Sequence, residues 1–222
     1  MKIAHIRQAG SILIYVLMAV ALFSALTFMV SRQMNSGSLG GTLTTEKAKL
    51  RSQELITYAT AAKSTVEQQR TMLNVLPNEF NFVKQGEAGY DTAPHNGKVY
   101  HPAGGGLNVF VPSPEMFADG SAARGWVSQV GTNVEWSSTT GSDVIFSFVD
   151  VNDAVCSAIN ERMYKETAIP VTTITPATVF INGGGDDVDF EVADCTACNG
   201  RNAMCIETAS GVNVFYNILI SR

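Results

Sequence analysis

Twenty consecutive residues, Ser11 to Val30 (SILIYVLMAVALFSALTFMV), carry no charge. At a rise of about 1.5 Å per residue, a helix of that length matches the roughly 30 Å hydrocarbon core of a bilayer. The run is apolar on every side, unlike the amphipathic helices of ordinary domains. It is also longer than the ~7–15 apolar residues of a secretory signal, and it ends in Phe28-Met29-Val30-Ser31-Arg32 with no A-x-A cleavage site. The pattern predicts a membrane-spanning helix over 11–30. Residues 31–42 hold Ser36-Gly37-Ser38 and a Gly40-Gly41 pair. Glycine costs roughly 1 kcal/mol per position in a helix interior, so a break or softening is expected there, as a hinge or as a flexible tether. Over 43–76 the residues Ala48, Leu55, Ala59, Ala62, Val66 and Leu73 form one helical stripe, opposite Lys49, Glu54, Lys63, Glu67 and Arg70. Thr44 is the expected N-cap, Glu46 favours the first turn, and Pro77 is the expected stop.

From 77 to 222 the composition turns to Gly, Asn, Pro and Thr between short apolar runs. Strands are expected at Leu107–Val111, Gly125–Val130, Val144–Val149, Val179–Ile181, Val188–Val192 and Val212–Ile220. In the last, Val212, Val214, Tyr216, Ile218 and Ile220 share one face and Asn213 and Asn217 the other. Residues 203–208 and 212–220, joined through Ala209-Ser210-Gly211, read as an antiparallel hairpin. Asn96-Gly97 reads as a turn. One helix interrupts the strands from Ala154 to about Tyr164, capped by Asn152 or Asp153, with Val155, Ile159 and Met163 on one face. The fold class is α+β.

Charge orients the anchor. Lys2 and Arg7 precede it and no Asp or Glu occurs before Glu46, so the positive-inside bias predicts a cytoplasmic N-terminus and an external C-terminal mass. Arg32 weakens that asymmetry without reversing it. The whole chain has 15 Lys and Arg against 20 Asp and Glu, a net charge of −5. Loss of residues 1–10, with Lys2 and Arg7, would deepen that deficit. An acidic balance argues against a nucleic-acid partner. With 45% apolar residues, wholesale disorder is excluded.

A short basic leader ending in Gly10, directly before an uninterrupted apolar helix, resembles the prepilin leader of type IV pilins and of the pseudopilins of type II secretion. The resemblance implies cleavage of the Gly10–Ser11 bond by a prepilin peptidase on the cytoplasmic side, often followed by methylation of the new N-terminus. It implies other pilin-like subunits as partners, met through the N-terminal helix at Ser11 and the fifth mature residue. In most members that residue is a glutamate that pairs with a neighbouring amino terminus; here it is Tyr15, whose neutral phenol supplies no such charge. Some minor pseudopilins also lack the glutamate, so the departure points to a minor subunit or pseudopilin. The implied layout is a long N-terminal helix packed on an antiparallel β-sheet head, with cysteines near the C-terminus. The specific match covers about the first 30 residues, and the rest matches in architecture only. Before assembly the chain would sit in the inner membrane with its head in the periplasm, and afterwards in an extracellular filament. The rival readings are a permanently anchored periplasmic binding domain and a tethered periplasmic enzyme.

The head offers little chemistry. On the oxidising side, Cys156, Cys195, Cys198 and Cys205 read first as disulfides, with three connectivities possible. Cys156–Cys205 with Cys195–Cys198 is the favoured one, since it ties the capped helix to the C-terminal region. The irregular C-x-x-C spacing disfavours zinc, and Asn199-Gly200 after it disfavours a thioredoxin-like motif. Asp186, Asp187 and Asp189 in a glycine-rich turn with Glu191 and Asp194 are calcium candidates, but the spacing is not that of an EF-hand and a solvated turn fits better. Gly104-Gly105-Gly106 lacks the phosphate-loop spacing and is expected to open a strand. His95 and His101 lie in a Pro- and Gly-rich loop with no nucleophile-elbow or H-E-x-x-H motif nearby. No catalytic residue and no cofactor is expected.

Overall fold

The computed structural model describes residues 37–118, 125–137, 141, 143–175, 179–180 and 188–221. The chain divides into two compact units, residues 1–47 and 48–222. Among the described residues no helix is long and apolar enough to cross a membrane. The leader and the span expected over 11–30 lie outside those residues.

The first helix, α1, spans Gly37–Leu73. It therefore runs through Gly40-Gly41 and past Thr44, where a softening and an N-cap were expected. A helix propagates from a packed segment at little cost per residue, and two glycines tax that propagation without forbidding it. Ala48, Leu55, Ala59, Ala62 and Val66 are buried as the stripe requires. Leu73 is not. Asn74 follows in the left-handed conformation at φ 51° and ends the helix, three residues before Pro77, which instead opens a short 3-10 turn. Val75 takes the buried place beyond the turn.

Five strands follow: β1 (Gly125–Val134), β2 (Asp143–Val149), β3 (Val188–Phe190), β4 (Ala203–Glu207) and β5 (Asn213–Ile220). They form one sheet in the order β3-β1-β2-β5-β4. The β1–β2, β2–β5 and β4–β5 pairs are antiparallel, but β3 joins β1 in parallel, so the sheet is mixed rather than antiparallel throughout. The second helix, α2 (Asp153–Tyr164), starts on Asn152, whose side chain accepts from the Ala154 N–H.

Two expected strands are absent among the described residues. Leu107–Val111 has no strand partner; Tyr58 instead donates to the Asn108 carbonyl at 2.9 Å and accepts from the Phe110 N–H at 3.2 Å. Val179 and Phe180 lie in a helical turn, both buried. In each case the β-branched and aromatic residues favour a strand locally, whereas a strand also requires a neighbour at hydrogen-bonding distance. The 203–207/213–220 hairpin is present, with one change. The β2–β5 register shifts between Val144 and Ile145, and Ile220 falls among the residues packed towards α1 rather than beside Val214, Tyr216 and Ile218.

Candidate functional site

The processing and assembly residues named from the sequence, Gly10, Ser11 and Tyr15, lie outside the described residues, as do Asp186 and Asp187 of the calcium candidate. Asp189 is exposed on β3 and accepts from Asn133 Nδ2 at 2.9 Å. Asp194 is spent on its own turn, accepting from Thr173 Oγ1 at 2.6 Å and from the Glu191 N–H at 3.1 Å. Carboxylates committed in this way do not converge, and among the described residues no group of three or more metal-ligating side chains occurs.

Two disulfides form, Cys156–Cys205 and Cys195–Cys198, each with Cα atoms 5.3 Å apart. The first fastens α2 to the edge strand β4. Beside it, Asn160 donates from Nδ2 to the carbonyls of Cys205 at 2.8 Å and Ala168 at 3.0 Å, and its Oδ1 accepts from the Cys205 N–H at 3.0 Å. Pro170 and Thr172 exchange backbone hydrogen bonds with Glu207. The edge of β4 is thus covered, which removes a template for pairing with other chains. The second disulfide closes a short turn under a polar knot. Trp136 and Tyr216 both donate to the Arg201 carbonyl, at 3.2 and 3.0 Å. The Arg201 guanidinium makes two 2.8 Å hydrogen bonds to Glu166 and lies 4.3 Å from the centre of the Tyr164 ring. That hydrogen bond holds the Glu166 carboxyl below its ordinary range.

A further cluster was not legible from the motifs. Lys98 is 6% exposed, and its ammonium donates to the carbonyls of Gly89 at 2.6 Å, Tyr90 at 2.8 Å and Thr92. His95 Nδ1 stands 3.3 Å from the same nitrogen. The His95 and His101 rings are stacked at 4.0 Å and 5°, and His101 Nδ1 accepts from the Ala103 N–H at 3.1 Å. Partial burial, then the neighbouring His101 and the Lys98 cation, hold His95 below the usual imidazole range, against the opposing pull of Asp91. Gly104 and Gly105 allow this folding: a Cβ on Gly104 would strike the carbonyls of His95 and Lys98, and one on Gly105 the Val99 carbonyl and Thr65. The glycine run therefore packs a loop onto α1 and opens no strand. Beside Lys98 lies a cavity of about 480 Å³. The sequence signal was present as three closely spaced cationic or imidazole side chains between glycines, but nothing local says that Lys98 turns inward.

Lys49 of α1, Arg162 of α2 and Lys165 just beyond it line a shallow groove of about 210 Å³ together with Glu161. Arg162 in the last turn of α2 and Lys165 at its C-cap complement the helix dipole.

No family model, no curated protein and no solved structure matches this chain.

Proposed function

We propose that the chain is a structural subunit, a minor pilin or pseudopilin, of a type IV pilus or type II secretion-like filament. The observation that carries this reading is the junction at Gly10: a basic, acid-free leader meets twenty uncharged residues with no spacer. A helix apolar on all sides needs either lipid or other apolar helices around it, and a subunit that leaves the inner membrane for a filament core meets both in turn. Ala19, Ala21, Ser24 and Ala25 supply the small residues that let helices approach closely. The head supports the same reading. One stripe of α1 is buried against a disulfide-tied sheet, an α+β layout that agrees with a long helix carrying an α/β head. In this account a prepilin peptidase cuts Gly10–Ser11, the head stands in the periplasm, and Tyr15 takes the place of the assembly glutamate.

One observation favours a second reading, a permanently anchored periplasmic binding domain: the cavity beside Lys98. The mature N-terminus separates the two. Intact mass and N-terminal peptide analysis of membrane-extracted protein is expected to show a chain beginning at Ser11, with an N-methyl group. An uncut Met1 would leave an anchored domain, and a cut beyond Ser31 a secreted one; either result would remove the filament reading.

A further inference from the structure

We propose that residues 89–106 form an acid-sensitive latch, in which a neutral His95 helps hold the Lys98 ammonium and protonation of His95 releases the loop from α1. The three N–H groups of the Lys98 ammonium meet the carbonyls of Gly89, Tyr90 and Thr92, and His95 Nδ1 lies 3.3 Å from the same nitrogen as a further, shared contact; because an ammonium can only donate, that Nδ1 faces it with its lone pair and the imidazole proton sits on Nε2. The stacked His101 is held likewise, its Nδ1 accepting from the Ala103 N–H. A second proton on His95 would place an N–H against the ammonium and a new positive charge beside both Lys98 and the ring 4.0 Å away. The imidazolium has to turn outwards.

Turning His95 out disturbs more than one contact, because the loop's fastenings radiate from Lys98 and its neighbours. Gln69 of α1 donates to the carbonyls of Asn96 at 2.6 Å and Lys98 at 3.4 Å. Asn81 bonds Gly97 and Val99 through its backbone at 2.9 Å each, and the Lys98 carbonyl accepts from Gly105 at 2.9 Å. Under this sit Val99, at 0% exposure, and Tyr100, at 6%. The titratable and charged groups acting on His95 are Asp91, Lys98 and His101 within the loop; Tyr90 lies against the His101 ring, Glu79 lines the cavity beside Lys98, and Glu87 acts on Tyr100. The α1 side presents the neutral Gln69 and Thr65. Asp91 is the group that pulls towards protonation, and it is outweighed.

The sign follows from linkage. His95 has a lower proton affinity in the closed loop than free, so it stabilises closure fully above the ordinary imidazole pKa of 6.5. That contribution is lost as pH falls below 6.5, and the loss levels off below the folded value. A head exposed outside the cytoplasm meets the pH of its surroundings, so such a latch would couple loop opening to external acidity. The inference does not depend on the filament reading.

Hydrogen exchange of the full chain in detergent micelles at pH 7.5 and pH 5, corrected at each pH for intrinsic exchange, tests it. Opening of residues 96–107 is expected to rise severalfold at pH 5, while β2 and β5 amides keep their protection. His95→Asn keeps an acceptor for Lys98 but cannot take up a proton, and is expected to abolish the rise. A loop indifferent to pH, or a rise that survives His95→Asn, would overturn the proposal. Should that variant not fold, the imidazole resonance of His95 in the unaltered chain decides: a midpoint below 6.5 supports the latch, and one at or above 6.5 removes it.

Discussion

On one face of the sheet, Trp126, Phe146, Phe148 and Phe215 meet two regular helices, α1 through Leu55, Ala59, Ala62 and Val66, and α2 through Val155 and Ile159. On the other, Ile145, Val214, Tyr216 and Ile218 meet Ile174, Val179, Phe180, Phe190, Cys195 and Cys198, all but Phe190 from stretches with no strand and no helix longer than a turn among the described residues. A helix satisfies its own backbone, so the first face needs few polar ties. Asn217 Nδ2 to the Ala59 carbonyl at 3.1 Å is one. Irregular chain has no such internal ladder, and its buried groups must be matched individually. Hence the Arg201 knot, and hence the Thr132 hydroxyl donating to the Val179 carbonyl at 3.0 Å. Each face has its own disulfide, and they differ in span: 49 residues for Cys156–Cys205 and 3 for Cys195–Cys198.

That contrast can be broken on the helical face first. Replacing Cys156 and Cys205 together by serine releases a long loop, and the chain-entropy relation gives about 4 kcal/mol. Denaturant unfolding should show the loss, and a deficit below about 1 kcal/mol would mean that Asn160 and the β4 edge contacts suffice. Next comes Leu55→Ala. The side chain is fully buried between α1 and the sheet, so about 3 kcal/mol is expected, read as a lower midpoint at unchanged slope. The irregular face is probed most gently by Tyr216→Phe, which leaves the ring and removes only the hydrogen bond to Arg201. About 1 kcal/mol should be lost. Burial pushes the Tyr216 phenol well above its ordinary 10. Its contribution is therefore present below pH 10 and lost as pH rises further, so Tyr216→Phe should flatten the alkaline limb of a stability profile. An unchanged limb would place the alkaline sensitivity elsewhere.

Much of the helical face was legible because its signals are local. The stripe from Ala48 to Val66, the Asn152 cap and the alternation of β5 each depend on residues a few positions apart. The irregular face was not. Val179–Ile181 has the composition of a strand, yet Val179 and Phe180 lie in a helical turn; the parallel pairing of Val188–Phe190 with β1 depends on residues more than fifty positions away. The inward turn of Lys98 was equally invisible, since lysine is ordinarily a surface residue and its cage is made of carbonyls, which every residue possesses.

Hydrophobic period and turn chemistry act over short distances, so the uncharged run at 11–30, the basic leader before it, the helical stripe and the hairpin are all legible from the chain alone. The tertiary structure decided that Ile220 changes sides, that Val188–Phe190 pairs in parallel with β1, and that His95 faces an ammonium. Those outcomes turn on which distant groups come within bonding reach, and distance along the chain does not specify distance in space.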